Sequence, residues 1–271
     1  NGTKSSGFKC GGWRIPFHRS RGQYLTSTEC TTYQRRHSIM SISQAVLNGE
    51  KYQLRKRTVI LGISPGNPHY YKIETLERLF DLAGRTSEKV FLFIPDKISE
   101  HNYRAVGSKN PEKSARIKCN RLRNKCNEAI QSSGLRDVSH SFIRWTEEVE
   151  SCHEYKKALE NIKNLYEVND DFHNDVRQST VVALRCLKNG REKGGSDEEN
   201  KSAEADSNVD LDEGVQYLLK ELAFFLAVPN IYKDCNNFVF VYHRPWPVLE
   251  RFFGGFYDGV EKPSLGFVVF E

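Results

Sequence analysis

Thr58-Val59-Ile60-Leu61-Gly62-Ile63-Ser64-Pro65-Gly66-Asn67-Pro68 is the stretch on which the reading of the whole chain turns. A β-branched and apolar run reaches Ser64, and Pro65, Gly66 and Pro68 then stop it. A short apolar run closed by turn residues is the pattern of a buried strand, here one that delivers a hydroxyl to its carboxyl end. Ligands of open α/β sheets bind in the crevice at those ends, which makes Ser64 a candidate nucleophile. A bland role weighs equally at this point: a serine after a strand can cap the next helix, its oxygen taken up by a backbone N–H.

Gly62-Ile63-Ser64-Pro65-Gly66 also fits the G-x-S-x-G nucleophile elbow of serine hydrolases, with Asp234 and His243 following in the chain order of a triad. The residue after the serine argues against that assignment. An elbow takes half of its oxyanion hole from the next backbone N–H, and Pro65 has none to give.

The 271 residues, 38% hydrophobic and 11% aromatic, suffice for one sizeable core, best read as one α/β domain with appendages. The longest apolar stretch, near Leu222–Val228, is far shorter than the roughly 18–20 residues of a transmembrane helix. No basic start followed by an apolar run marks a secretory signal, so a soluble cytoplasmic chain with no membrane partner is expected. The seven cysteines are odd in number and form no C-x-x-C pair, which favours a reducing compartment. Cys119 and Cys126 lie seven apart on an expected helix with no histidine at ligand spacing, so they read as core residues and no metal is expected.

Residues 1–50 lack sustained periodicity and read as an N-terminal arm; 51–271 read as the catalytic domain. From position 58 the pattern alternates: strand 58–64, helix 71–83, strand 89–95, helix 112–132, strand 138–144, then helices over 151–167 and 172–188. This is the signature of a mostly parallel sheet covered by helices. Residues 191–213 are acidic and nearly devoid of apolar side chains, the composition of a disordered loop. A helix over 213–227, a strand over 238–242 and an aromatic, proline-rich tail with a short helix at 247–253 complete the chain, the tail closing over the sheet.

Three constellations carry chemistry. The helix at 112–132 holds Lys113, Arg116, Lys118, Arg121, Arg123 and Lys125, with Ile117, Leu122, Cys126 and Ile130 available to face inward. A solvated face normally mixes signs to form i,i+4 pairs, and this one does not, which points to a polyanion such as a nucleic-acid backbone. Tyr217 and Glu221 are four apart and share a helix face, beside a core stripe of Leu218, Leu222 and Phe225. A phenol and a carboxylate so placed can hold an ammonium group, or the carboxylate can act as a base. Tyr242 and His243 close the late strand at the same kind of edge as Ser64, although a histidine there is more often a structural hydrogen-bonder than a substrate ligand.

Gly62-x-Ser64-x-x-Asn67, the basic helix, Tyr217-x-x-x-Glu221 before an apolar run, and Tyr242 before an aromatic, proline-containing tail resemble, in this order, the cyclodipeptide synthases. The resemblance spans residues 58–250 in topology, with its specificity concentrated in these motifs. It implies a Rossmann-like domain similar to the catalytic domain of class I tyrosyl- and tryptophanyl-tRNA synthetases, and two aminoacyl-tRNAs as substrates. It implies that Ser64 takes the first amino acid as an ester, that a second aminoacyl-tRNA converts this into a dipeptidyl-enzyme, and that ring closure releases a cyclic dipeptide. Tyr217 and Glu221 then hold the first amino group, Gly62 and Asn67 line the site, Tyr242 relays protons, and His243 and Arg177 are substrate-binding positions. His243 departs from the glutamine or proline that often follows this tyrosine in the family, so amino-acid preference does not carry over. The absence of the HIGH and KMSKS signatures accords with an already activated ester as substrate, which needs no ATP or other cofactor. The chain is expected to act as a monomer. The alternatives are a non-catalytic synthetase-like module that grips tRNA through the basic helix and, third, the serine hydrolase.

Overall fold

The computed structural model describes residues 42–46, 57–192, 209–242, 246–259 and 265–270, all within the compact unit Ser38–Glu271. The apolar run of the opening stretch forms β2 (Arg57–Gly62). It is followed by a 3-10 turn (Pro68–Tyr71), α1 (Ile73–Thr86), β3 (Ser87–Phe93), α2 (Ser99–Ala105), α3 (Pro111–Ser132) and β4 (Ser139–Phe142). A π-helical segment (Trp145–Glu150) leads into α4 (His153–Val168), α5 (Asp170–Glu192) and α6 (Leu211–Ile231). β5 (Phe238–Tyr242), α7 (Pro247–Gly254) and β6 (Gly266–Phe270) follow, and β1 (Ile42–Val46) precedes them all.

The strands line up as β1-β6-β5-β2-β3-β4. Five are parallel, and β1 pairs antiparallel with β6 at the edge. From β2 the chain builds outward through β3 and β4, then returns to place β5 on the other side of β2. The order therefore reverses between β2 and β5, and the crevice at their carboxyl ends is where a parallel α/β sheet places its ligand. This is the Rossmann-like layout.

Because successive residues of a strand face opposite sides, the two sheet faces carry different sets of side chains. One face presents Val59, Leu61, Val90, Leu92, Val239, Val241 and Val268 to α1 and α3. The other presents Ile60, Phe91, Phe93, Phe238, Phe240, Tyr242 and Phe267 to α4–α7. Ser64 lies two residues beyond Gly62 and four beyond Ile60, in line with the second, aromatic face.

Several expectations change. β1 lies inside the segment read as an arm, and residues 1–41 and 47–50 lie outside the described residues. The tail supplies strand β6 to the sheet, paired parallel with β5. The acidic stretch read as disordered over 191–213 is ordered at both margins: α5 runs to Glu192, and α6 begins at Leu211 with the Asp210 side chain accepting from Glu213 N–H at 3.0 Å. Asp212 and Glu213 in the first turn complement the positive end of the helix, which is why acidic residues there support order. Positions 193–208 lie outside the described residues. Among the described residues, no helix is long and apolar enough to cross a membrane.

Candidate active site

Ser64 stands half-buried at the β2 edge, immediately before the turn whose Asn67 N–H donates to the Ser64 carbonyl at 3.1 Å. The helix-cap role falls to Asn67, whose Oδ1 accepts from the His69 N–H at 3.0 Å. Among the described residues nothing hydrogen-bonds the Ser64 hydroxyl, so it is not spent on a cap. The flanking carbonyls are held by side chains: Tyr70, fully buried, donates to Gly62 O at 3.0 Å, and Tyr71 donates to Pro65 O at 3.0 Å. Neither tyrosine stood out in the sequence, where the only signal was an aromatic pair one residue beyond the Pro65-Gly66-Asn67-Pro68 turn.

Beside β2, the parallel register pairs Leu61 with Val241, which brings Tyr242 against Gly62. A Cβ on Gly62 would stand 2.5 Å from Tyr242 Cζ, so the ring occupies the volume a side chain would need and only glycine fits. The Tyr242 hydroxyl donates to Glu221 Oε1 at 2.7 Å, and the Tyr217 hydroxyl donates to the same oxygen at 3.3 Å. Glu221 lies on α6 among Leu218, Leu222, Ala223 and Phe225 and is only 5% exposed. Burial pushes its carboxyl up to about 7, the two phenolic hydrogen bonds holding it lower than burial alone would. Burial, then the Glu221 charge, raises the Tyr242 hydroxyl well above its ordinary range, so it remains a donor. The result is a buried carboxyl with two phenol donors and no cation among the described residues, at the carboxyl edge of the strand neighbouring the one that carries Ser64. Such a group is suited to receive an ammonium or take a proton near neutrality.

The other expected residues divide. Arg177 on α5 is ion-paired with Asp212 Oδ1 at 2.6 Å and hydrogen-bonded to the Tyr166 hydroxyl at 3.4 Å, outside the Tyr217–Glu221–Tyr242 group. His243 lies outside the described residues. Asp234 is exposed in the turn before β5, at the amino end of a strand whose carboxyl end faces Ser64, a separation of about 20 Å by strand rise. It therefore cannot complete a triad with Ser64, and the elbow's missing N–H at Pro65 stands beside that.

On α3, Ala115, Cys119, Leu122, Cys126, Ala129 and Ile130 form the buried face. Ile117, expected to face inward, is 54% exposed, since it lies about 140° around the helix from Leu122. Burial holds the Cys119 and Cys126 thiols up at about 12, as fits core cysteines. Lys113, Arg116, Lys118 and Arg121 are exposed. Arg123 instead pairs with Asp96 at 3.3 Å and lies over the Phe142 ring, and Lys125 pairs with Glu128 at 3.0 Å. The basic face is thus narrower than the sequence suggested, and its flank of Lys118 and Arg121 adjoins Tyr71 and the Ser64 turn.

A family model described as cyclodipeptide synthase matches residues 47–271. The cyclo(L-leucyl-L-leucyl) synthase of Bacillus subtilis (strain 168) is 20% identical over 239 residues, covering 87% of this chain and 91% of that protein. Among solved structures, a cyclodipeptide synthase from Bacillus thermoamylovorans superposes with a TM-score of 0.68 at 19% identity, over 86% of this chain and 96% of that one. A Mycobacterium tuberculosis protein, whose structure is described as relating cyclodipeptide synthetases to type I tRNA synthetases, gives 0.57 at 17% identity over 79% and 85%. At these identities the structures establish a shared fold.

Proposed function

The chain belongs to the cyclodipeptide synthase family, and we propose that it joins the amino acids of two aminoacyl-tRNAs into a cyclic dipeptide through an acyl-serine at Ser64. The observation that carries this reading is the buried Glu221 carboxyl, shared by Tyr217 and Tyr242 and with no cation beside it among the described residues, next to a strand edge whose serine hydroxyl has no hydrogen bond among those residues.

In the first step Ser64 Oγ attacks the ester carbonyl of an aminoacyl-tRNA. The bond from that carbonyl carbon to the ribose oxygen breaks, the hydroxyl proton passes to the departing ribose oxygen, and free tRNA leaves. The substrate's ammonium supplies a positive charge to Glu221. A carboxyl held at about 7 is well matched to take a proton from such an amine, leaving it nucleophilic. The α-amine of the Ser64-bound residue then attacks the ester carbonyl of a second aminoacyl-tRNA, releasing the second tRNA and leaving a dipeptide on Ser64. Attack in the other sense would return free Ser64 and leave the dipeptide on tRNA, so only this direction gives a dipeptidyl-enzyme. Finally the new terminal amine attacks the serine ester within the same molecule, the C–O bond to Ser64 breaks, and the six-membered ring departs. Tyr242, bonded to Glu221, is the proton relay between amine and serine oxygen. Gly62 and Asn67 border the site, and the exposed basic residues of α3 contact the tRNA backbone.

The test is mass spectrometry of the culture medium from cells expressing the wild type or Ser64→Ala. New cyclic dipeptide masses in the wild type that vanish with Ser64→Ala are expected. Equal masses in both cultures would remove Ser64 from the reaction, and none from folded wild type would favour a tRNA-binding module.

A further inference from the structure

We propose that Tyr71 is a positioning residue that couples the basic face of α3 to the turn carrying Ser64; this rests on the acyl-serine reading above. Its hydroxyl lies 3.0 Å from Pro65 O, the carbonyl directly after the nucleophile, and 3.4 Å from Lys118 O on α3. The Lys118 carbonyl lies inside a helix and already accepts the helical bond of its own chain, so the single phenolic hydrogen serves Pro65. The Tyr71 ring carries the Arg121 guanidinium above it, with the central carbon 5.5 Å from the ring centroid, within cation–π range. One side chain thus contacts the nucleophile turn with its hydroxyl and an exposed α3 arginine with its face. Burial raises the hydroxyl to about 12, which keeps it a donor across the physiological range.

Tyr70 and Tyr71 divide the task of fixing Ser64. Tyr70 holds Gly62 O from within the sheet. Tyr71 holds the carbonyl on the other side of Ser64 and faces the flank where Lys118 and Arg121 stand exposed. A phosphate that engages Arg121 fixes the guanidinium over Tyr71, fixes the ring with it, and so holds Pro65 O and the Ser64 hydroxyl in attack geometry. The tRNA body then contributes to the rate of acylation as well as to affinity.

The experiment is single-turnover acylation of Ser64, followed by intact-protein mass. Two donors are used: an aminoacyl-tRNA, and an aminoacyl ester of a nucleoside, which carries no phosphate for Arg121. With aminoacyl-tRNA, Tyr71→Phe should lower the maximal acylation rate about 3- to 10-fold, the scale of one hydrogen bond, without changing the half-saturating concentration. Arg121→Ala should lower the maximal rate and also raise the half-saturating concentration. In the double variant the rate loss should equal that of Tyr71→Phe alone, since the two act through one contact. With the nucleoside ester, Tyr71→Phe should keep its loss, whereas the loss from Arg121→Ala should be smaller than with aminoacyl-tRNA. A full maximal rate in Tyr71→Phe, or losses that multiply in the double variant, overturns the coupling. If thermal unfolding shows Tyr71→Phe to be misfolded, Arg121→Ala carries the test alone, and a full maximal rate at saturating aminoacyl-tRNA then overturns it. A wild type that forms no acyl-Ser64 sinks the functional reading itself, whereas a wild type that acylates beside an unimpaired Tyr71→Phe sinks only the coupling.

Discussion

The two faces of the sheet are built from the same strands and buried to the same degree, yet they differ in kind. Toward α1 and α3 the layer is aliphatic, with Val59, Leu61, Val90, Leu92, Val239 and Val241 meeting Leu76, Phe80, Leu122 and Ile130. Toward α6 it is aromatic, and it admits polar atoms: Glu221 with the hydroxyls of Tyr217 and Tyr242. Branched aliphatic residues fill space and offer no hydrogen-bonding group, so the strand residues of the first face only stabilise; the hydroxyls of Tyr70 and Tyr71 beside them come from the turn after β2. Tyrosines bring hydrocarbon and a donor together, so the second can stabilise a core and hold a carboxyl within it. The lesson is that a buried site can be made by exchanging aliphatic for aromatic packing on one face, with one glycine left open for a ring.

Leu61→Ala should break the aliphatic face alone. It leaves a cavity under α1 and α3 and should cost about 2–5 kcal/mol in denaturant unfolding, while kcat per folded molecule stays at the wild-type value. A kcat that falls with it would mean that the faces are not independent.

Glu221 makes the second face pH-sensitive. Its carboxyl is raised in the fold, so the folded protein binds the proton more tightly than the unfolded chain does. Its contribution is therefore fully present below about 4.5 and is lost as pH rises through about 7. The loss amounts to roughly 3 kcal/mol across that window. Unfolding of wild type and Glu221→Gln at pH 5 and pH 8 should show their stability difference shifting in favour of Gln at the higher pH. A difference that does not move with pH contradicts the raised titration of the buried carboxyl.

Gly62→Ala tests whether the ring needs its vacancy. A methyl 2.5 Å from Tyr242 Cζ must displace the ring or the strand, at a cost of about 1–3 kcal/mol, and the Tyr242–Glu221 bond should go with it. Cyclic dipeptide output should then collapse in protein that is still folded. Normal output would show that Tyr242 can move without consequence. The smallest effect is expected from Tyr217→Phe, which removes the longer of the two bonds to Glu221: about 0.5–1.5 kcal/mol of stability, with the Glu221 titration moved upward. An unchanged titration would assign the carboxyl's hydrogen bonding to Tyr242 alone.

Those elements whose signal lies within one contiguous segment were legible in the sequence. β2 and β5 announce themselves as β-branched and aromatic runs, α3 and α6 as amphipathic periods, and Tyr217–Glu221 as an i,i+4 pair. The third member of that polar group, the bond from Tyr242, depends on a parallel register between strands almost two hundred residues apart, which no local pattern encodes. α2 was missed because Ser99–Ala105 has too few apolar positions to show a period. β6 carries a β-branched and aromatic run, Phe267-Val268-Val269-Phe270, but it is short and lies in a tail read as a cover; β1 has only a brief alternation of apolar and polar residues, Ile42-Ser43-Gln44-Ala45-Val46. Ile117 misled because an apolar residue on a helix was read without its angular position. The positions of Tyr70 and Tyr71 follow from carbonyls that only the folded turn presents.

The most direct test of the account is intact-protein and peptide mass spectrometry of the purified chain, quenched in acid within one turnover after mixing with an aminoacyl-tRNA. The account predicts one aminoacyl residue attached to the peptide that contains Ser64, absent from Ser64→Ala. Cyclic dipeptide formed at the wild-type rate by Ser64→Ala, or an aminoacyl group trapped on another residue, would contradict it.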